Sequence, residues 1–150
     1  MPIELRRKDL EMLIPHRQDA LLLDGILFDQ NNGSSITGIK KVSQNESYFS
    51  GHFPAKPIFP GHFMIECINL TAAILVKLRF PKVDGLPVIV QIEGPIKFRN
   101  LVVPGDQMLI EVDLIENKLN KLFKFNGQIT KSPNTLVCEV FGIKGIAYKK

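Results

Sequence analysis

Two histidines, one glutamate and a Gly/Pro-rich turn lie close together in the middle of this chain. His52 lies in a Gly-His-Phe-Pro segment, His62 follows a Pro-Gly pair, and Glu66 comes one helical turn after His62. A histidine can take a proton, a carboxylic acid can give one, and backbone N–H groups at a helix start can hold a negative oxygen. This spacing suits proton abstraction beside a thioester carbonyl, followed by loss of a hydroxyl group.

Each of these groups has a role in that hypothesis. His52 removes the α proton, and the backbone N–H groups of Gly61 and His62 stabilise the enolate-like oxygen. Glu66 protonates or binds the departing β-hydroxyl, which requires a pKa above the ordinary carboxyl range, and an apolar helix would supply that pKa by desolvation. Three alternatives stay open: His52 as a loop residue, Glu66 in a structural ion pair, and His62 as a helix cap.

Neighbouring side chains are candidates to line an acyl site: Phe53, Phe59, Phe63, Asn69 and Leu70. The remaining histidine, His16, is interpreted as structural, and Cys67 as a core thiol. No pair of these residues has the spacing of a metal-binding motif. The sequence therefore predicts chemistry without a metal or a cofactor.

The element that must position Glu66 is the apolar run 63–80. It contains no glycine or proline, and it ends with Lys77 and Arg79 before Pro81, which is typical of a helix C-terminus. Its uncharged stretch is shorter than the roughly 20 residues that cross a membrane. A helix that is apolar on nearly every side is then predicted to be buried in the core of the protein.

Runs of alternating apolar and polar residues predict the strands that wrap this helix. The predicted strands cover 21–28, 35–42, 88–98, 107–115, 122–130 and 136–148. The predicted turns lie at 31–33, 103–106, 116–118 and 132–134, and a short helix is predicted within 5–15. Strand 35–42 alternates imperfectly, which is more typical of an edge strand or an irregular strand than of a buried one. Short turns between strands favour an antiparallel sheet, so we predict one α+β domain over 1–150, a curved sheet around one helix.

Composition excludes several classes of protein. The chain has 150 residues, 45% of them apolar and 23% charged, which is typical of a globular domain. Its net charge of +4 is spread without a basic block, which disfavours a nucleic-acid tail and is compatible with an acidic partner. The N-terminus does not resemble a secretory signal, and Cys67 and Cys138 lie in apolar runs. We expect a cytoplasmic protein with reduced thiols.

A series of short motifs occurs in a recognisable order: Pro15-His16-Arg17, Leu21-Leu22-Leu23-Asp24, Asn45-Glu46, Gly51-His52-Phe53-Pro54, Pro57-Ile58-Phe59-Pro60-Gly61, Glu66, Lys97-Phe98-Arg99 and Val103-Pro104-Gly105-Asp106. Together they resemble the 3-hydroxyacyl-[acyl-carrier-protein] dehydratases of the FabZ type, over 13–111. The spacing from Gly-His-Phe-Pro to the glutamate is the most specific part of the resemblance.

The resemblance implies a hot-dog fold, which is a helix wrapped in a curved antiparallel sheet. It also implies dimers that join two sheets edge to edge, with hexamers built as trimers of dimers common in the family. Active sites would lie at the dimer interface, so His52 and Glu66 would come from opposite subunits. The substrate would be an acyl chain on the phosphopantetheine arm of acyl carrier protein. Lys97 and Arg99 would face the carrier, although Arg99 could equally serve a structural pair.

Four residues depart from the family's pattern: Asp19, Ala55, His62 and Leu70, the last at a position that is usually Gln. They leave the acid–base pair intact and point to an unusual acyl chain or a specialised carrier, as in secondary lipid or polyene pathways. The leading prediction is reversible dehydration of a (3R)-3-hydroxyacyl thioester to the trans-2-enoyl thioester. Two alternatives stay open: an acyl thioesterase of the same fold, and a non-catalytic carrier-binding partner subunit.

Overall fold

Helix α2, Gly61–Arg79, lies against the inner face of a curved eight-stranded antiparallel sheet in the computed structural model, which describes residues 2–50 and 55–148. The strands are β1 (Ile3–Arg6), β2 (Gly25–Phe28), β3 (Ser35–Lys41), β4 (Leu86–Ile92), β5 (Ile96–Phe98), β6 (Gln107–Lys118), β7 (Leu122–Lys131) and β8 (Thr135–Tyr148). The sheet order is β1-β2-β3-β6-β7-β8-β4, and β5 also pairs with β8. One short helix, α1 (Arg7–Leu10), precedes β2.

The burial of α2 explains its uninterrupted apolar sequence. Helix α2 packs on β3, β4, β6 and β7, so most of its side chains from Cys67 to Val76 are removed from water. By length and composition the helix could cross a membrane, yet 56% of its most apolar stretch is buried inside the protein. The predicted core helix is confirmed, and it begins at Gly61, just ahead of the predicted run, with Pro60 at the N-cap.

Strand β3 differs from the prediction. It lies between β2 and β6, so the prediction of an edge strand is wrong. Its alternation is imperfect because Gly38 and Lys40 occupy positions that face the core. Gly38 lets the strand approach α2 closely, and Lys40 is buried in an ion pair with Glu46. Both residues make tertiary contacts, and such contacts cannot be predicted from the pattern of apolar residues in the sequence.

Other boundaries shift for local reasons. The single predicted strand 88–98 is two strands, β4 and β5, because the chain turns at Gly94, where any side chain would collide with the backbone of Phe141. The β6–β7 hairpin turns at Leu119 and Asn120, which both have positive φ (57° and 55°), rather than at 116–118. Within 5–15 only α1 is helical, and the residues before it form β1.

Both cysteines are free and buried, as predicted. Burial raises the pKa of the Cys138 thiol to about 11 and also raises that of Cys67. Both thiols therefore stay protonated near neutral pH and act as small apolar side chains.

The close approach of β3 to α2 yields a stability prediction. A Cβ atom added at Gly38 would lie 2.6 Å from Thr71 Oγ1, and Thr71 is fully buried. We expect Gly38→Ala to lower the free energy of unfolding by about 1 to 3 kcal/mol through overpacking. Denaturant unfolding at fixed protein concentration measures the change.

A double variant tests the cause of that loss. Thr71→Ala removes the hydroxyl, at the cost of its hydrogen bond to the Cys67 carbonyl (2.7 Å). Adding Thr71→Ala to Gly38→Ala is expected to cost less than the sum of the two single changes, because the collision disappears. Strictly additive losses would show that contact with Thr71 does not cause the destabilisation.

Candidate active site

Glu66 lies on the second turn of α2 and faces a cavity of about 270 Å³. The walls of the cavity come from α2, from the start of β4 and from the loop after α1: Glu66, Asn69, Leu70 and Ala73, residues 87–89, and His16. Most of this lining is apolar, and β4 is the last strand at its edge of the sheet. The cavity therefore places one carboxyl group in apolar surroundings beside a sheet edge.

The surroundings of Glu66 favour its protonated form. Desolvation raises the pKa of the half-buried carboxyl above its ordinary value, and the charge of nearby His16 opposes that rise. Within the described parts of the chain, no ion pair involves Glu66, so nothing there matches the structural ion pair left open above. A carboxyl group in this state can donate a proton near neutral pH more readily than an exposed glutamate.

The start of α2 leaves backbone donors available. Pro60 is the N-cap residue, and its carbonyl accepts from the N–H groups of Phe63 (3.1 Å) and Met64 (3.2 Å). Among the described residues, no backbone acceptor pairs with the N–H of Gly61 or of His62. These two donors, at the positive end of the helix dipole, have the properties of an oxyanion site.

The side chain of His62 points away from that helix end. It is exposed, and its ring lies 4.3 Å from the ring of Phe63, centroid to centroid. Pro60 occupies the N-cap position, and His62 is the second helical residue, so the structure does not use His62 as the cap. Phe98 covers the first residue of the helix, because a Cβ on Gly61 would lie 3.1 Å from its ring.

His16 reaches the cavity from a different part of the chain, and the interpretation as a purely structural residue misses this position. Its loop is held by Arg17, whose Nη1 donates to the carbonyls of Ile14 and His16, both at 2.8 Å, and whose Nη2 donates to the Glu11 carbonyl at 2.7 Å. The sequence signal for this position is the Pro-His-Arg motif. In the chain, His16 lies between two residues that are buried in the core, Ile14 and Leu21.

The predicted lining residues divide into three groups. Asn69 and Leu70 line the cavity with Glu66. Phe59 and Phe63 are not among the residues that line it: both pack against Tyr48, with ring centroids 5.6 Å and 4.9 Å away, and Phe59 is only 1% exposed. Phe59 is therefore a core residue, because the loop before α2 turns it inward. The third group, His52 and Phe53, lies outside the described residues.

Lys97 and Arg99 lie on and just after β5, at the protein surface. Lys97 is exposed, and Arg99 donates to Glu139 Oε2 from Nη2 at 3.1 Å. Arg99 thus forms the structural pair that the sequence left open, while part of its guanidinium stays in contact with water. In the described part of the chain, no cluster of three His, Cys, Asp or Glu side chains is arranged to bind a metal.

The described groups include one that suits acid chemistry and one that suits oxyanion binding. Glu66 supplies a carboxyl whose pKa is raised by desolvation in an apolar cavity, and the start of α2 supplies two backbone donors on the same helix. A thioester carbonyl at the donors and a hydroxyl at Glu66 match the two groups that an elimination reaction must stabilise.

Comparisons with known proteins agree with this chemistry. A family model described as FabA-like domain matches residues 14–140. The 3-hydroxyacyl-[acyl-carrier-protein] dehydratase FabZ of Janthinobacterium sp. (strain Marseille) is 40% identical over 111 residues, which cover 72% of this chain and 70% of that protein. The protein of the same name from Rickettsia massiliae (strain Mtu5) is 42% identical over 118 residues, covering 78% of this chain and 79% of the relative.

Two solved structures are similar in shape. The dehydratase heterocomplex ApeI:P from Xenorhabdus doucetiae matches with a TM-score of 0.73 at 17% identity, over 94% of this chain and 91% of that one. A hypothetical thioesterase with coenzyme A from Streptococcus pneumoniae TIGR4 matches with a TM-score of 0.65 at 11% identity, over 95% and 97%. At such low identity, both similarities concern the fold alone.

Proposed function

The chain belongs to the FabA-like family, among its 3-hydroxyacyl-[acyl-carrier-protein] dehydratases of the FabZ type, and we propose that His52 and Glu66 carry its reaction. It is a dehydratase of fatty acid biosynthesis with the hot-dog fold that the resemblance implied. The reaction converts a (3R)-3-hydroxyacyl thioester to the trans-2-enoyl thioester. The observation that carries the proposal is the Glu66 carboxyl, whose pKa is raised by desolvation in an apolar cavity on α2.

The first step is removal of a proton from the carbon next to the thioester carbonyl. His52 takes this proton, and the electron pair of the broken C–H bond moves toward the carbonyl oxygen. The N–H groups of Gly61 and His62 hold the negative charge that develops there, a contribution of about 10²-fold to 10³-fold in rate for each donor.

The second step is loss of the hydroxyl group. The electron pair returns from the oxygen to form the carbon–carbon double bond, the bond to the β-hydroxyl breaks, and Glu66 gives its proton to the departing oxygen. Water leaves, and Glu66 becomes a carboxylate. The proton held by His52 returns through solvent to Glu66, so that the two groups are ready for another turnover and no metal or cofactor takes part.

The open edge of β4 supports a dimer. Its sequence, Leu-Pro-Val-Ile-Val-Gln-Ile, has no charged residue, and Val88 and Val90 are 39% and 53% exposed. An uncharged apolar strand at a sheet edge would pair with other chains unless it is covered. We assign a second copy of this chain to that edge. Because residues 87–89 of β4 also line the cavity, the partner would complete the site there and supply His52.

The carrier is the partner of this reaction, and we assign Lys97 to contact it. Acyl carrier proteins are acidic, and this chain carries a net charge of +4. The Lys97 ammonium is exposed near Phe98, which covers the start of α2, so a carrier bound at this surface would lie close to the oxyanion donors. Arg99 shares its charge with Glu139 and contributes less. We also place the reaction in the cytoplasm, as expected for a dehydratase of fatty acid biosynthesis.

Mass spectrometry of carrier-bound substrates tests the activity. Purified protein is incubated with (3R)-3-hydroxyacyl carrier proteins of several chain lengths. We expect loss of one water and formation of the trans-2-enoyl product, and we expect the reverse reaction from the enoyl carrier. The preferred length also reports whether the substrate is unusual. A folded sample that gives no enoyl product at any length would contradict the proposal.

The same incubations separate the two alternatives. A thioesterase would release the free thiol of the carrier, which a thiol reagent detects, whereas the dehydratase leaves the thioester intact. A non-catalytic partner subunit would bind the acyl carrier without any turnover when it is alone. We expect product formation without thiol release.

A further inference from the structure

His16 and Glu66 face the same cavity although they belong to distant parts of the sequence. We propose that His16 is a positioning residue of the dehydration site, whose imidazole opposes Glu66 across the cavity and whose positive charge favours the carboxylate over the acid. The inference rests on the proposed function for its kinetic consequence. The charge interaction between the two side chains does not depend on the identity of the substrate.

Hydrogen bonds from Arg17 fix the loop that carries His16. The Arg17 guanidinium donates to the backbone carbonyls on both sides of Pro15, at Ile14 and His16, and to the carbonyl of Glu11. Ile14 anchors the same loop in the core with 3% of its surface exposed. An imidazole on a loop fixed at this many points keeps its place in the cavity wall with little loss of entropy on binding.

Among the described residues that line the cavity, His16 is the one whose side chain can carry a positive charge. From α2 the cavity receives Glu66, the neutral amide of Asn69 and two apolar side chains. From β4 it receives the apolar residues 87–89, and from the loop after α1 it receives His16. Among these lining residues, His16 and Glu66 are the two whose side chains can carry a charge, and the charge of His16 lowers the pKa of Glu66.

Helix α2 itself offers Glu66 little polar support. One turn after Glu66 stands Leu70, which is 2% exposed and packs in the core. Asn69, three residues after Glu66, adds a neutral amide to the same wall, and the positive charge near the carboxyl comes from outside the helix, from His16. The pair is not in hydrogen-bond contact: within the described residues, neither a hydrogen bond nor an ion pair joins the two side chains. Both side chains line the cavity in which, on the proposed function, the hydroxyl of the substrate would lie.

Unsatisfied polar atoms mark this wall of the cavity as a place for a ligand or partner. His16 Nδ1 and Asn69 Oδ1 are both buried, and neither has a hydrogen-bond partner among residues 2–50 and 55–148. Leaving a buried polar atom without a partner is unfavourable, and most buried polar groups in native proteins are hydrogen-bonded. These two atoms lie on the wall that also holds Glu66, where each can make a polar contact with a ligand or a partner subunit.

A charge series at His16 tests the proposal through the pH profile of kcat/KM for dehydration. Glu66 must be protonated to release the hydroxyl, so activity falls as pH rises through its pKa. His16→Gln removes the cation, and we expect the alkaline limb of the profile to move up by about half a pH unit or more. His16→Lys keeps a permanent cation, and we expect the limb to stay in place or move down.

Asn69→Ala is the matched control, because it alters a neutral polar residue in the same wall. We expect it to change the height of the profile without moving the alkaline limb. If His16 were only structural, both His16 variants would lower activity and leave the limb in place, which would overturn the proposal. A limb that moves down in His16→Gln would overturn it as well.

Infrared titration of Glu66 gives a readout that needs no substrate. The protonated carboxyl band is followed against pH in protein with labelled glutamate, and it is assigned by its absence in Glu66→Gln. We expect the band to persist to higher pH in His16→Gln than in the unmodified chain, and to disappear at the same pH or lower in His16→Lys. An identical titration in all three proteins would overturn the proposal. If the dehydratase activity itself were absent, this titration would still decide the role of His16.

Discussion

Glu66→Gln is expected to reduce kcat/KM for dehydration by about 10²-fold to 10⁴-fold, the usual contribution of a general acid. The amide is similar in size to the carboxyl and fills the same half-buried position, so the cavity keeps its shape, but it has no proton to give to the departing hydroxyl. Steady-state kinetics with a 3-hydroxyacyl carrier protein measures the loss. Activity within a few-fold of the unmodified chain would contradict the role assigned to Glu66.

Stability distinguishes loss of chemistry from loss of fold in that variant. Burial raises the folded-state pKa of Glu66, so the stability that this side chain contributes is complete below the pKa of the unfolded chain and is lost as pH rises through the folded value. Gln is neutral throughout. We expect the variant to unfold at a higher temperature than the unmodified chain at mildly alkaline pH, with the difference disappearing in acid.

Mixing subunits tests whether His52 and Glu66 meet across a dimer interface. His52→Ala and Glu66→Gln homodimers are each expected to be nearly inactive. In a mixed dimer, one site combines an intact His52 from one subunit with an intact Glu66 from the other, so random exchange restores about a quarter of full activity. Absence of recovery after verified exchange would place both groups on one chain.

Much of the fold could be predicted because its signals are local. Helix α2 follows from an apolar run without glycine or proline, and β6, β7 and β8 follow from alternation between short turns. The position of β3 could not be predicted in this way. Its place inside the sheet depends on a close contact at Gly38 and on the buried ion pair of Lys40. In the sequence, these two residues only interrupt the apolar alternation, as residues of an irregular edge strand would.

The part of the candidate site that lies on α2 could be predicted from the sequence. Helical spacing puts Glu66, Asn69 and Leu70 on neighbouring positions, and all three line the cavity. His16 could not be assigned to the same place, because its loop meets α2 only after the chain has folded. Phe59 differs in the opposite way. Its proximity to Gly61 in the sequence suggested that it lines the site, but the loop before α2 places its ring in the core.

The buried ion pair between Lys40 and Glu46 connects the sheet to the segment that leads toward His52. Lys40 occupies a core-facing position of β3 and is 4% exposed, and its Nζ pairs with Glu46 Oε1. Glu46 Oε2 also accepts the backbone N–H of Ser43 at 3.0 Å. This carboxylate therefore anchors the chain just after β3, and loss of its partner affects both the core and this segment.

Lys40→Met is expected to lower the free energy of unfolding by about 3 kcal/mol, because it leaves the carboxylate of Glu46 mostly buried without its cation. Adding Glu46→Gln removes the unpaired charge while keeping an acceptor for Ser43, and we expect the double variant to recover most of the loss. Lys118→Met, which breaks the exposed pair with Glu116, is the control and should cost less than about 1 kcal/mol. Denaturant unfolding at matched protein concentration measures all three. A double variant as unstable as Lys40→Met would mean that packing of the Lys40 side chain, and not its charge, holds β3 to this segment.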